Sequence, residues 1–117
     1  MAKAAAKISP FAPSRLPDMP VVPGVKLAAC EAGIRYRNRS DLMLAVLAPG
    51  TIAAGVLTRS KTCSAPVQWC RENLVQGAAR ALVVNSGNAN AFTGKKGVET
   101  ARITAEMAAR AVGCTPT

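Results

Sequence analysis

The sequence predicts a layered α/β or α+β arrangement of sheet and helices. Two observations carry that reading. Residues 42–47 read Leu-Met-Leu-Ala-Val-Leu, which is apolar on both faces of an extended strand, so cover is expected on each side. Two later segments show helical spacing and are bounded by residues suited to helix ends. At 117 residues the chain is long enough for one small domain.

Taken in order, residues 1–23 are rich in Pro and Ala, with Pro10, Pro13, Pro17, Pro20 and Pro23. Prolines at that spacing oppose regular structure, so a flexible, extended arm is expected. Pro23-Gly24 marks a turn into the domain, residues 24–117. Strands are expected over 25–35, interrupted at Gly33, over 41–47, and over 51–58 after Pro49-Gly50. Turn residues at each boundary predict antiparallel connections. The first helix takes Ser64 as N-cap, Pro66 in its first turn and Gly77 as its C-terminal cap. Val67, Cys70 and Leu74 share one face of it. A short strand over 82–84 leads into an Asn-rich loop. The second helix spans 95–112 and ends at Gly113. Its stripe of small residues is Val98, Ala101, Ala105, Ala108 and Val112, widened by Ile103 and Met107, with Glu106 and Arg110 as an i,i+4 surface pair. Two helices are few for a sheet with two apolar faces, so further strands or helices are expected from another segment.

Half of the residues are hydrophobic and only 3% are aromatic, so the core is expected to be aliphatic and alanine-rich. The formal net charge is +9, which invites a nucleic-acid reading. Stacking platforms are sparse, and the basic residues are spread from Lys3 and Lys7 through Arg35, Arg37 and Arg39 to Lys95, Lys96 and Arg110. A solvated surface is the simpler reading, a face that meets acidic partner chains or acidic small molecules is the second, and neither nucleic acid nor membrane is expected as partner. There is no histidine, so the commonest general base and metal ligand are absent and no metal site is expected. Cys30, Cys63, Cys70 and Cys114 form no CxxC pair and read as buried free thiols. No apolar run reaches membrane-spanning length, and a cytoplasmic location is expected.

The chemistry-bearing candidates are few. Ser and Thr are plentiful but have no His beside them, and Ser60-Lys61 reads as a surface loop. Cys63 precedes the first helix, where its pKa is open to lowering, but it reads first as a packing thiol. Thr93-Gly94-Lys95-Lys96 at a helix start is placed to hold an anion, yet capping by Thr93 is the simpler reading. No spacing pairs two carboxylates. The distinctive segment is the strand-to-helix loop with Asn85, Ser86, Gly87, Asn88 and Asn90. It offers donors and acceptors without charge or titratable proton. It is expected to order backbone through side-chain caps and turns, and so to support a site rather than react.

One resemblance adds to this. The run Arg80-Ala81-Leu82-Val83-Val84-Asn85-Ser86-Gly87-Asn88-Ala89-Asn90-Ala91, with Thr93-Gly94, resembles the ornithine acetyltransferase family, also called bifunctional glutamate N-acetyltransferase. Val-Pro-Gly-Val at 22–25, Ala-Ala-Gly-Val-Leu-Thr at 53–58 and Ala65-Pro66-Val67 resemble it too. The resemblance implies a layered sheet-and-helix sandwich of the self-processing kind, with 24–117 as the N-terminal part of an α chain. It implies autocatalytic cleavage before a threonine, whose own amine serves as base. That threonine takes acetyl from N-acetylornithine and passes it to glutamate in arginine biosynthesis. No cofactor is implied, though some members also use acetyl-CoA as donor. The partners implied are the rest of the α chain and the β chain, in a hetero-oligomer. The family's nucleophile and its Ser-Thr-Gly-Val-Ile-Gly oxyanion run find no match among these residues, since neither Thr115 nor Thr117 has that context. No catalytic residue is therefore assigned, and residues 1–117 alone are expected to be inactive. The alternative expectation is a basic α/β module that binds an anion or nucleic acid through the 85–90 loop.

Overall fold

A computed structural model describes residues 9–116. The element order is β1 (Val25–Cys30), β2 (Leu42–Leu47), α1 (Ala65–Asn73), a 3-10 turn (Leu74–Gln76), β3 (Ala81–Asn85) and α2 (Gly94–Val112). The strands form one antiparallel sheet in the order β1-β2-β3. α2 packs on β3 and on α1. The α/β layering and the antiparallel connection between the first two strands, both read from the sequence, are present. The arm's residues 9–23 are exposed and lie outside the sheet, while residues 1–8, with Lys3 and Lys7, lie outside the described residues.

Two strand expectations need correction. β1 stops at Cys30 rather than continuing to residue 35. The chain bends away there because the Asp41 carboxylate accepts the Ala32 and Ile34 N–H groups at 2.7 Å each. Gly33 takes a φ of 68° inside that bend, a left-handed conformation open to glycine. Residues 51–58 form no strand. Ile52 makes a single bridge to Ala78, and Ala53 N–H reaches the Gly77 carbonyl at 3.0 Å. Beyond that the segment finds no neighbouring ladder, and Val56 is 99% exposed. An apolar extended stretch becomes a strand only when another strand supplies its hydrogen bonds.

The core is alanine, as the composition implies. The buried apolar residues are Ala45, Ala65 and Ala109. In register, Leu27, Ala45 and Leu82 stand side by side across the sheet, and Ala45 is shielded by the two larger neighbours. Those neighbours are not covered: Leu27 is 71% and Leu82 51% exposed, and Val84 on the same face is 45% exposed. Cover on both faces, expected for this strand, is thus missing on this one among the described residues.

Helix ends follow the sequence closely. Ser64 is the N-cap of α1, with Pro66 in the first turn. Its hydroxyl makes no cap bond; its carbonyl instead accepts Val67 and Gln68 N–H at 3.0 and 3.2 Å. Gly77 and Gly113 end their helical segments in the left-handed conformation, at φ 65° and 74°. The faces shift slightly. Cys70 is exposed rather than shared with Val67 and Leu74 in the packed face. On α2, Ile103 and Met107 stay outside and Gly97 and Ala109 are buried. The expected Glu106–Arg110 pair is replaced by Arg102, which binds Glu99 at 2.5 Å and Glu106 one turn on.

Candidate functional site

β3 delivers the chain into the 85–90 loop, and α2 receives it. Within the loop Asn85 Nδ2 donates to the Asn88 carbonyl at 3.1 Å, and Asn90 N–H donates to Asn88 Oδ1 at 3.3 Å. The Asn90 carbonyl accepts the Ala65 N–H at 3.2 Å, which ties the loop to the start of α1. Ser86 N–H donates to the Asp41 carbonyl at 2.8 Å, which ties it to β2. The Asn side chains thus act on backbone groups, as short amide side chains do in turns. Asn90 and Phe92 both have left-handed backbones, at φ 47° and 56°. For a bulky residue such as Phe92 this costs about 1–2 kcal/mol.

The loop sits against the 31–40 segment. Gly87 has φ 103°, and a Cβ there would fall 2.8 Å from the Arg35 Cβ and 3.1 Å from the Tyr36 ring. Glycine is required at this approach on both counts. Arg39 donates to Ser86 Oγ at 3.4 Å and lies 4.6 Å from the Tyr36 ring centroid. Arg35 lies on the same ring at 5.9 Å. The sequence reading singled out Asn85, Ser86, Gly87, Asn88 and Asn90 as one loop; Asn85 is the last residue of β3, and the others follow it. That reading missed Arg35, Tyr36 and Asp41, whose proximity depends on the bend after β1.

A second polar site lies at the N-terminus of α1. Arg71 Nη1 donates to the Cys63 sulfur at 3.6 Å, and Arg71 Nη2 donates to the Thr58 carbonyl at 2.8 Å. The Arg71 hydrogen bond, helped by its charge, holds the Cys63 thiol below its ordinary value while burial opposes the shift. Cys63 also lines a cavity of about 360 Å3 with Asn90, Phe92 and Thr93. The cysteines are free, but the expected burial does not hold: Cys30 and Cys70 are exposed, and Cys63 and Cys114 are half-buried. Thr93 stands at the N-cap of α2 without a side-chain cap bond. Its hydroxyl occupies the space where a Cβ on Gly97 would be. Among the described residues no cluster of three or more His, Cys, Asp or Glu is arranged to hold a metal ion. No helix there is long and apolar enough to cross a membrane.

Sheet, helices and an uncharged junction loop define a layered α/β protein whose polar site is held by backbone geometry. The chain belongs to the ArgJ family, whose family model matches residues 26–117. It is 64% identical over 107 residues to the arginine biosynthesis bifunctional protein ArgJ of Bradyrhizobium diazoefficiens, covering 92% of this chain and 26% of that protein. The protein of the same name from Brucella suis is 59% identical over 112 residues, covering 96% and 27%. Among solved structures, the ornithine acetyltransferase of Mycobacterium tuberculosis in complex with ornithine superposes with a TM-score of 0.72 at 40% identity, covering 81% of this chain and 51% of that one. The ArgJ protein of Bacillus halodurans gives 0.76 at 32% identity, covering 80% and 49%. The chain therefore spans about a quarter of the length of the curated relatives it matches. The family read from the 80–91 run is the family found.

Proposed function

We propose that the protein carrying these residues moves an acetyl group from N-acetylornithine to glutamate in arginine biosynthesis. The observation that carries this is the match over 26–117, with the Arg80-to-Ala91 run seated at the junction of β3 and α2. In the proposed chemistry a threonine hydroxyl attacks the acetyl carbonyl, the amide C–N bond breaks, and ornithine leaves as the amine. Glutamate's amine then takes the acetyl group from the threonine ester. We assign that threonine and its oxyanion donors to a segment other than 24–117, released by autocatalytic cleavage, so that α and β chains work as a hetero-oligomer. Asn85, Ser86, Gly87, Asn88 and Asn90 then serve as a site-supporting loop, and residues 9–23 as an arm outside the sheet. No cofactor enters this scheme, acetyl-CoA is an additional donor at most, and the setting is the cytoplasm.

The test is an acetyl-transfer assay on two preparations. The complete protein is expected to convert N-acetylornithine and glutamate to ornithine and N-acetylglutamate, while residues 1–117 alone give no turnover. Absence of turnover in the complete protein rejects the transferase reading. Turnover by residues 1–117 rejects the supporting role given to this segment.

A further inference from the structure

The 31–40 segment is a built cationic surface. Its two neighbouring acids are already committed to backbone: Asp41 accepts Ala32 and Ile34 N–H, and Glu31 Oε1 accepts Asn38 N–H at 2.6 Å. The ion pairs among the described residues join Arg15 to Asp18 and Arg102 to Glu99 and Glu106; none reaches Arg35, Arg37 or Arg39. Arg35 and Arg39 are both held on the Tyr36 ring, which reduces the rotamer freedom an arginine loses on binding. Beside them is a cavity of about 520 Å3 lined by Arg35, Tyr36, Asn85, Asn88, Val83 and Ala89, among others, with no acidic residue in its wall. Asn88 Oδ1 is taken by the Asn90 N–H, which turns its side-chain NH2 into the remaining donor.

We propose that this cavity binds a small phosphate monoester. The Arg35 guanidinium meets the phosphate with parallel N–H donors, Asn88 adds a neutral donor, and Arg39, 4.6 Å from the Tyr36 ring centroid, contributes positive field. Val83 and Ala89 receive the apolar body of the ester. The site shares Asn85 and Asn88 with the loop given a supporting role in acetyl transfer, while Arg35, Tyr36 and Arg39 have no role there.

Isothermal titration calorimetry on the complete protein, at constant ionic strength, tests this with inorganic phosphate, butyl phosphate and butyrate as probes. Butyl phosphate is expected to bind more tightly than inorganic phosphate, and more tightly than butyrate. Arg35→Gln is expected to weaken butyl phosphate about tenfold or more, in line with loss of a charged hydrogen bond. Arg35→Lys keeps part of the affinity, which separates lost charge from lost folding, and Arg110→Gln at the last turn of α2 leaves it unchanged. Unchanged binding in Arg35→Gln overturns the site. So does an equal loss in Arg110→Gln, which would mark diffuse surface charge, and so does butyrate binding as tightly as butyl phosphate.

Discussion

Asp41 is 3% exposed, and it is the buried charged residue among those described. Its carboxylate holds the bend after β1, and its carbonyl holds Ser86, so one residue joins the cationic segment to the Asn loop. Above all the Ala32 N–H, with Ile34 and neighbouring amides, keeps the carboxyl below its ordinary value of 3.8, while burial works the other way. A carboxylate with a depressed pKa in the folded state stabilises that state at pH above its unfolded value. The contribution is lost as pH falls through the lower folded value. Urea unfolding followed by circular dichroism should therefore show a falling midpoint as pH is taken below 3.8. Asp41→Asn should lower the midpoint at neutral pH and flatten that acid limb. An unchanged acid limb in the variant would remove Asp41 from this role. None of this was legible in the sequence, where Asp41 is simply an acid at a strand start. Its partners are backbone amides, which carry no residue-type signal.

At the scale of elements, α2 offers a contest between propensity and packing. Alanine favours a helix interior over glycine by about 1 kcal/mol. Yet a Cβ on Gly97 would lie 1.8 Å from Thr93 Oγ1 and 3.4 Å from the Asn90 carbonyl oxygen. The Thr93 side chain has to move, in a loop already holding Asn90 and Phe92 in left-handed conformations. Overpacking of this kind costs about 1–3 kcal/mol. Packing outweighs propensity, and Gly97→Ala is expected to lower the thermal midpoint by differential scanning calorimetry; a raised midpoint would mean the loop yields freely. The helix ends were legible because Ser64, Pro66, Gly77 and Gly113 mark them locally. The non-strand at 51–58 was not, because apolar spacing shows what a segment can bury and not whether a ladder partner reaches it.

For the whole molecule, the exposed sheet face is the dominant fact. Leu27, Leu82 and Val84 share it, and Ile52 at 85% and Val56 at 99% exposure add to the apolar surface. Burying one such side chain stabilises by about 1.5–3 kcal/mol, enough to drive association when several act together. Residues 1–117 alone are expected to self-associate with rising concentration in sedimentation velocity. Leu82→Lys with Val84→Lys should shift the population toward monomer. A monomer at high concentration in the unmodified chain would contradict this. Alternation and composition made the apolar face readable in advance; what covers it is not written in these residues.

The Leu47–Arg80 contact sets an order of events in folding. Leu47 N–H binds the Arg80 carbonyl at 2.9 Å, and Arg80 Nε returns to the Leu47 carbonyl at 3.1 Å, across a separation of 33 residues. β1 and β2 are near neighbours in sequence, so their ladder closes at small entropic cost. Docking β3 must first close the long excursion through α1, and non-local closure slows a folding step. The Asn loop hangs from β3, so it is expected to find its geometry after β1 and β2 have paired, and φ-values in β3 as high as those in β1 would contradict this order.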